Sequence, residues 1–189
     1  MLEVVVFDQS IVKYPSLEIV QAHPDHADYL APKLRAGDNM ECMCMGRKPL
    51  DALHDAFKYD LATLTVLNNK GKPIGMFGVG EGDMFPYLWM LGTDEISKRY
   101  KKEFVKYSKT WVNELLKLVG GMAGNFVYKY NRPAVRWLRW VGAEFIEEVE
   151  FNKEPFYNFI LINNNEEEKK IIYVYTFSSR NSTWRRTNG

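Results

Sequence analysis

Cysteine, net charge and long hydrophobic runs are all scarce in this sequence. The two cysteines, Cys42 and Cys44, are two residues apart. On a strand they would point to opposite faces, which argues against a disulfide between them. Such low cysteine use fits a reducing compartment. No segment approaches the roughly 18 apolar residues that a membrane-spanning helix needs. The first residues, MLEVVVFDQS, lack the basic region and cleavage site of a signal peptide, so we expect no membrane anchor.

The near balance of charge removes any overall reason to expect nucleic acid or an acidic membrane as partner. The 189 residues include 25 basic and 24 acidic ones, which gives a net charge of +1. Hydrophobic residues make up 46% and aromatic residues 14%, enough for a well-packed core in one globular domain. We assign that domain to residues 1–162. Residues 163–189 are polar, low in complexity and basic at the end, so the sequence predicts a linker and a flexible C-terminal tail.

The spacing of apolar residues predicts a mixed α/β fold. The predicted elements, in chain order, are a strand at 16–22, helices at 24–34 and 49–60, a hairpin across 61–79, a strand at 87–91, a helix at 94–119, a strand at 125–130, a helix at 132–141, and strands at 143–151 and 156–162. The segment MECMCM at 40–45 is apolar but too short to assign. The predicted order is therefore β-α-α-β-β-β-α-β-α-β-β.

The stretch YKYNRPAVRWLRWVGAEF at 128–145 carries the most specific pattern. Asn131 precedes a predicted helix, Ala134 falls on its apolar face, and Gly142 ends it before the next strand. Their spacing resembles the motif N-x-x-A-x-x-x-Y-x-x-x-G-F of the GCN5-related N-acetyltransferases, or GNAT proteins. The order of elements from about residue 16 to residue 162 is similar to that superfamily as well. The resemblance implies a GNAT-like mixed central sheet flanked by helices.

Two departures from the superfamily pattern argue against acetyl transfer. Leu138 stands where active members often have the Tyr that protonates the departing CoA thiolate, and leucine cannot donate a proton. The stretch LGTDEISKRYKK replaces the glycine-rich phosphate loop of the superfamily. Gly92 is its only glycine, and the negative charges of Asp94 and Glu95 would repel a pyrophosphate.

If the chain is nevertheless an enzyme, the resemblance implies acetyl-CoA as the cofactor, with a base and a cofactor site. The base candidates are Glu81 and Asp83, which follow a central strand and could act through a water molecule. The alternative interpretation of this pair is a polar turn. The residues implied for cofactor binding are Leu91, Gly92, Thr93, Lys98, Arg99 and Asn131.

A narrower resemblance accounts for both departures together. WMLGTDEISKRYKKEF, followed by N-x-x-x-x-R-W-L-R-x-x-G-A-x-F-x-E-E, is similar to the GNAT-like internal virion proteins of short-tailed bacteriophages. That family also has Leu in the motif helix and Gly-Ala, here Gly142-Ala143, where enzymes have Gly-Phe. Membership implies a role in particle assembly or genome ejection, with other virion proteins as partners. It also implies the host cytoplasm during infection as the location, with the virion as a second one.

Two hypotheses follow, and the sheet distinguishes them. The first is a catalytically degenerate GNAT-fold protein that acts by interaction in a phage particle. The alternative is an active acyl-CoA-dependent N-acetyltransferase. The resemblance implies that an enzyme keeps an open split between the strands at 87–91 and 125–130, because the pantetheine arm of the cofactor lies there. A protein that serves for interaction alone can fill that split with side chains such as Trp89 or Trp137.

Histidine and arginine patterns each have a structural and a functional interpretation. His23 and His26 could share a helical face, but two ligands do not make a metal site, so we predict no metal. Arg132, Arg136 and Arg139 share one face of a predicted helix. Together with Lys98, Arg99, Lys101 and Lys102 they would form a basic surface for nucleic acid or for an acidic partner. A solvated helix face is the simpler interpretation.

Overall fold

The computed structural model of the protein describes residues 15–163. Seven strands form one sheet in the order β1-β2-β3-β4-β5-β7-β6. The strands are β1 (Leu17–Gln21), β2 (Asp60–Asn68), β3 (Pro73–Gly80), β4 (Tyr87–Gly92), β5 (Met122–Tyr128), β6 (Glu144–Phe151) and β7 (Glu154–Ile162). The helices are α1 (Pro24–Leu30), α2 (Ala36–Cys44), α3 (Pro49–Tyr59), α4 (Asp94–Lys98), α5 (Lys101–Lys117) and α6 (Arg132–Val141). The predicted α/β class is confirmed. The predicted tail lies outside the described residues except for Asn163, so its assignment stays a prediction.

The sheet is antiparallel except between β4 and β5, which run parallel. A parallel neighbour requires a crossover connection, which α4 and α5 supply. The two strands pair at one position, Tyr87 with Gly124, near the start of each strand. Beyond that pair they separate toward their carboxyl ends. The sheet therefore contains a split, and the candidate site lies in it.

The larger core lies between the sheet and helices α5 and α6. Trp111 of α5 is completely buried. Its ring centroid lies 4.2 Å from that of Phe77 on β3 and 5.7 Å from that of Trp137 on α6. The apolar faces predicted for these two helices supply this core, including Leu115 and Leu138. A smaller core on the other face of the sheet joins α1 and α3 to β3.

Residues 40–44 of the unassigned segment belong to helix α2, so the strand assumed in the disulfide argument is wrong. Cys42 and Cys44 are free and buried on that helix. The buried face of α2 combines the Asp38 carboxylate with these small side chains, where a typical amphipathic helix has a row of large apolar residues. Hydrophobic periodicity cannot reveal a helix of this kind.

The helix predicted across 94–119 is divided into α4 and α5. Tyr100 lies between them with non-helical backbone angles (φ −106°, ψ 11°). Its ring is buried, and its hydroxyl donates a hydrogen bond of 2.8 Å to the side-chain oxygen of Asn69. Ile96 before the break and Phe104 after it are both buried in the larger core. The apolar repeat continues across the break, and the sequence pattern therefore gives no sign of it.

Gly142 ends helix α6 in the left-handed conformation (φ 101°). Its amide donates to the carbonyl oxygen of Leu138 at 3.1 Å, as is usual where a helix ends at glycine. A Cβ at this position would meet nothing within 4 Å, so a substitution tests backbone strain alone. We expect Gly142→Ala to lower the free energy of unfolding by about 1 kcal/mol, measured by urea denaturation. An unchanged midpoint would contradict this expectation.

Candidate functional site

A cavity of about 390 Å³ occupies the split between β4 and β5. One wall is β4 from Leu88 to Leu91, the other is β5 around Phe126, and α2, α3 and α6 complete it. Trp89 and Trp137 line the cavity and leave its volume free. An open split is the arrangement expected of an enzyme, so the two ends of the cavity decide what chemistry it can support.

Asp60 stands at the end of the cavity where β4 and β5 pair. Its carboxylate accepts hydrogen bonds from the Tyr87 hydroxyl (2.8 Å), the Trp89 indole N–H (2.8 Å) and the Thr63 hydroxyl (2.9 Å). None of these donors carries a charge. Burial raises the pKa of Asp60 to about 6, although the hydrogen bonds act in the opposite direction. A carboxylate with this pKa can take up and release protons near neutral pH, as a general base must.

The ionisation of Asp60 is expected to move the indole N–H resonance of Trp89 with a midpoint near pH 6. The cause is that the hydrogen-bond acceptor of this N–H changes its charge at that pH. The measurement is a pH titration of ¹⁵N-labelled protein by NMR. Asp60→Asn removes the titrating group, so in that variant the resonance should stay in place between about pH 5 and pH 7. A midpoint near 4, which is ordinary for Asp, would contradict the expectation.

Helix α2 bridges the separated carboxyl ends of β4 and β5. Asp38 is completely buried, and its carboxylate accepts the Gly92 N–H at the end of β4 (2.7 Å). The same carboxylate accepts the Asn131 side-chain amide (2.7 Å) and the Arg35 guanidinium (2.7 Å). These partners compensate the burial of its charge. The Asp38 carboxylate in turn occupies the backbone N–H donor of Gly92 at the end of β4.

Glu41 forms the second half of the bridge, about one turn further along α2. Its carboxyl oxygen accepts the Tyr128 N–H at the end of β5 (3.0 Å) and the Asn131 amide (2.8 Å). Burial, followed by the nearby Asp38, raises the pKa of Glu41 to about 8, so this side chain is mostly neutral at pH 7. Asn131 therefore joins both carboxyl groups. It was predicted to start α6, but its side chain makes no capping hydrogen bond there.

The segment expected to replace the phosphate loop is folded as the helical turn α4. Thr93 caps this turn by accepting the Glu95 N–H at 3.3 Å, and Lys98 pairs with Asp94 at 2.6 Å. The Thr93 N–H donates to a carbonyl oxygen of β3 at 2.8 Å. The backbone N–H groups of Gly92 and Thr93 are therefore both engaged in hydrogen bonds within the protein. The segment thus forms hydrogen bonds with itself and with its neighbours. A phosphate loop, by contrast, presents free N–H groups to its ligand.

The residues that the sequence predicted for a site are only partly brought together. Leu91 lines the cavity, whereas Lys98 and Arg99 do not. Glu81 and Asp83 are exposed in the loop between β3 and β4, outside the cavity wall. The assignment of these residues to a base and a cofactor stays a prediction.

Sequence analysis missed Asp60, which reads as the last acidic residue of the helical stretch LDALHDAFKYD. Its partners Tyr87 and Trp89 are two residues apart on β4 and so share one face of the strand. Gly80 and Gly78 pair with them on β3. A Cβ at Gly78 would collide with the Asp60 carboxylate, and one at Gly80 with the Tyr87 ring. Alternate glycines beside alternate polar aromatic residues are the signal that could have indicated this site.

Several solved structures with a similar fold are acetyltransferases. The GNAT-family acetyltransferase from Bacillus anthracis superposes with a TM-score of 0.58 at 12% identity, over 82% of this chain and 99% of that one. An acetyltransferase from Agrobacterium tumefaciens superposes with a TM-score of 0.53 at 18% identity, over 83% of this chain and 96% of that one. Spermidine N-acetyltransferase from Vibrio cholerae was solved in complex with CoA and spermine. It superposes with a TM-score of 0.54 at 12% identity, over 78% of this chain and 95% of that one.

At these identities the likeness establishes the fold: the chain has the fold of the GCN5-related N-acetyltransferases. No protein-family model matches the sequence, and no curated protein matches it. None of the helices within residues 15–163 is long and apolar enough to cross a membrane. In the same part of the chain, no three His, Cys, Asp or Glu side chains are grouped so that they could hold a metal ion.

Proposed function

We propose that this chain uses the GNAT fold without acetyl transfer and acts as a binding module. The observation that carries the proposal is the hydrogen bond from the Gly92 N–H to the buried Asp38 carboxylate. A pyrophosphate is normally held by free backbone N–H groups at a helix start. In this chain the donor that precedes α4 is already bonded to a carboxylate, and a nearby negative charge would also repel pyrophosphate.

Two further features support the absence of acetyl transfer. The turn α4 has Asp94 and Glu95 at its start, where a di-anionic group would have to dock. Leu138 stands in place of the Tyr of active members, is buried, and lines the cavity without offering a proton. The residues present therefore do not fit the pyrophosphate of acetyl-CoA, and we assign no step of a transfer reaction to it.

The finer part of the proposal is a role in phage particle assembly or genome ejection. Other virion proteins would be the partners, in the host cytoplasm and in the virion. Its support is the sequence resemblance in WMLGTDEISKRYKKEF and at Gly142-Ala143. Exposed side chains on and beside α2 and α3 suit contacts with a protein, since flexible Met side chains adapt to a partner. They are Met40, Met43, Met45, Leu50, Phe57 and Tyr59.

A second candidate function is an acyl-CoA-dependent N-acyltransferase. It is favoured by the open cavity and by Asp60, whose raised pKa suits it to take a proton from an ammonium group. In this candidate Asp60 takes the role of base that Glu81 or Asp83 has in the sequence-based hypothesis. The candidate requires α2 to leave the end of β4, because Asp38 holds the Gly92 N–H.

Calorimetric titration with acetyl-CoA distinguishes the two functions. We expect no binding heat up to about 1 mM acetyl-CoA, because the backbone donors are engaged. Spermidine N-acetyltransferase from Vibrio cholerae, whose structure contains CoA, is the positive control. A micromolar dissociation constant would contradict the proposal and favour the acyltransferase. In that case Asp60→Asn should abolish turnover without weakening acetyl-CoA binding.

A further inference from the structure

A second concavity of about 320 Å³ lies along α6, beside the ends of β5 and β7. We call it the α6 groove. Its lining contains no carboxylate, although β6 nearby is rich in Glu. Apart from Val135, the lining is cationic or aromatic: Lys129, Arg132, Arg136, Arg139, Tyr130 and Tyr157. It shares no residue with the cavity between β4 and β5.

Within residues 15–163, the three arginines of the α6 groove have no acidic partner. Lys129 pairs with Glu148 at 2.7 Å. Among residues 15–163, by contrast, no carboxylate lies within 4.0 Å of the guanidinium groups of Arg132, Arg136 or Arg139. Like charges four residues apart on a helix repel each other and destabilise it slightly. An anionic partner would remove this repulsion.

The spacing of the arginines suits more than one phosphate. They occupy positions i, i+4 and i+7 on α6, and a helix rises about 1.5 Å per residue, so the row is about 10 Å long. Each guanidinium can bond a phosphate through two N–H groups. A row of this length fits successive phosphates of a chain better than one isolated anion.

The tyrosines add a feature that a purely electrostatic surface lacks. Tyr130 is 59% exposed, and its ring packs edge to face against Tyr128 with centroids 5.5 Å apart. This contact supports the ring while most of its surface stays free. Tyr157 lines the same groove. Tyr157 is partly buried, so Tyr130 is the exposed ring of the groove. An exposed aromatic ring beside cations is the arrangement by which proteins bind unpaired bases.

We propose that the α6 groove binds single-stranded nucleic acid. Arg132, Arg136 and Arg139 contact successive phosphates, and Tyr130 stacks on a base. A duplex hides the faces of its bases, so the tyrosine favours a single strand. The cations that begin α5 are not part of this site, because none of them lines the groove. The inference is independent of acetyl-CoA binding, since the two sites have no residue in common.

The test is fluorescence anisotropy with a fluorescein-labelled decathymidylate at several salt concentrations. Arg136→Gln removes one phosphate contact, so we expect about tenfold weaker binding and a salt slope reduced by about one. Tyr130→Ala should weaken binding by about fivefold or more, and Tyr130→Phe should preserve it. The matched control is Lys102→Gln, which removes an exposed cation of α5 outside the groove and should leave affinity unchanged.

Inorganic polyphosphate and a duplex of the same length are the comparison probes. The proposal is wrong if the decathymidylate fails to bind at about 50 mM salt. It is also wrong if Lys102→Gln weakens binding as much as Arg136→Gln, because the charge would then act without a defined site. Equal affinity for polyphosphate, with no effect of Tyr130→Ala, would identify a general anion surface and overturn the role of the tyrosine. Tighter binding of the duplex would overturn the choice of a single strand.

Discussion

Replacing Asp38 with alanine is expected to lower the free energy of unfolding by about 3–5 kcal/mol, the cost of breaking a buried ion pair. The substitution removes the acceptor of the Arg35 guanidinium, of the Gly92 N–H and of one N–H of the Asn131 amide, whose other N–H still donates to Glu41. Each buried donor without a partner adds to the loss. Urea denaturation followed by circular dichroism measures the change.

Asp94→Ala is the matched control for this prediction. Asp94 also pairs with a cation, Lys98, at 2.6 Å, but both side chains are largely exposed (59% and 73%). Exposed pairs contribute about 0–1 kcal/mol, so this variant should unfold almost as the parent protein does. If Asp38→Ala costs no more than Asp94→Ala, the carboxylate of Asp38 does not hold the strand ends together.

Raising the pH from about 6.5 to 8 is expected to destabilise the protein through Glu41. The folded pKa of Glu41, about 8, lies above its ordinary value of 4.5, so the folded state binds more protons than the unfolded state between these values. The stabilisation is fully present below pH 4.5 and is lost as the pH rises through 8. At about 1.4 kcal/mol per pKa unit, the shift from 4.5 to about 8 corresponds to a whole effect on the order of 5 kcal/mol. The window from pH 6.5 to 8 covers about 1.5 of the 3.5 pH units over which this stabilisation is lost.

The window above pH 6.5 isolates Glu41 from two other groups. The pKa of Asp60 is raised to about 6, and the pKa of His26 is lowered from 6.5 mainly by burial, so both groups titrate mainly below it. Glu41→Gln is the control, because the amide oxygen can accept the same hydrogen bonds without an ionisable proton. Its stability should be constant across the window and exceed that of the parent at pH 8. Equal pH dependence in both proteins would contradict the assignment.

Much of the fold could be predicted because its signals are local. The hairpin of β2 and β3, the apolar stripe of α5, and the helix α6 with Gly142 at its end all follow from residues close in sequence. The division between α4 and α5 could not be predicted, since the apolar repeat runs through Tyr100 unchanged.

The candidate site was harder to predict from the sequence because its residues are far apart along the chain. Asp60 is 27 and 29 residues from the side chains of Tyr87 and Trp89 that bond it. Asp38 is 93 residues from Asn131. None of these three pairs has a spacing that a strand or helix period would reveal. The departures from the GNAT motif at Leu138 and in LGTDEISKRYKK can be read from the sequence. The contact of α2 with the end of β4 is visible only in the folded structure.

The most direct test of the central claim is to follow the backbone amide of Gly92 by NMR while acetyl-CoA is added. If Asp38 holds this N–H at 2.7 Å, the resonance should stay in place up to about 1 mM acetyl-CoA. In Asp38→Ala it should lie elsewhere even without ligand, which confirms the contact. A saturable shift of the Gly92 resonance at micromolar acetyl-CoA would mean that the cofactor displaces Asp38, and the account of a degenerate acetyltransferase fold would be wrong.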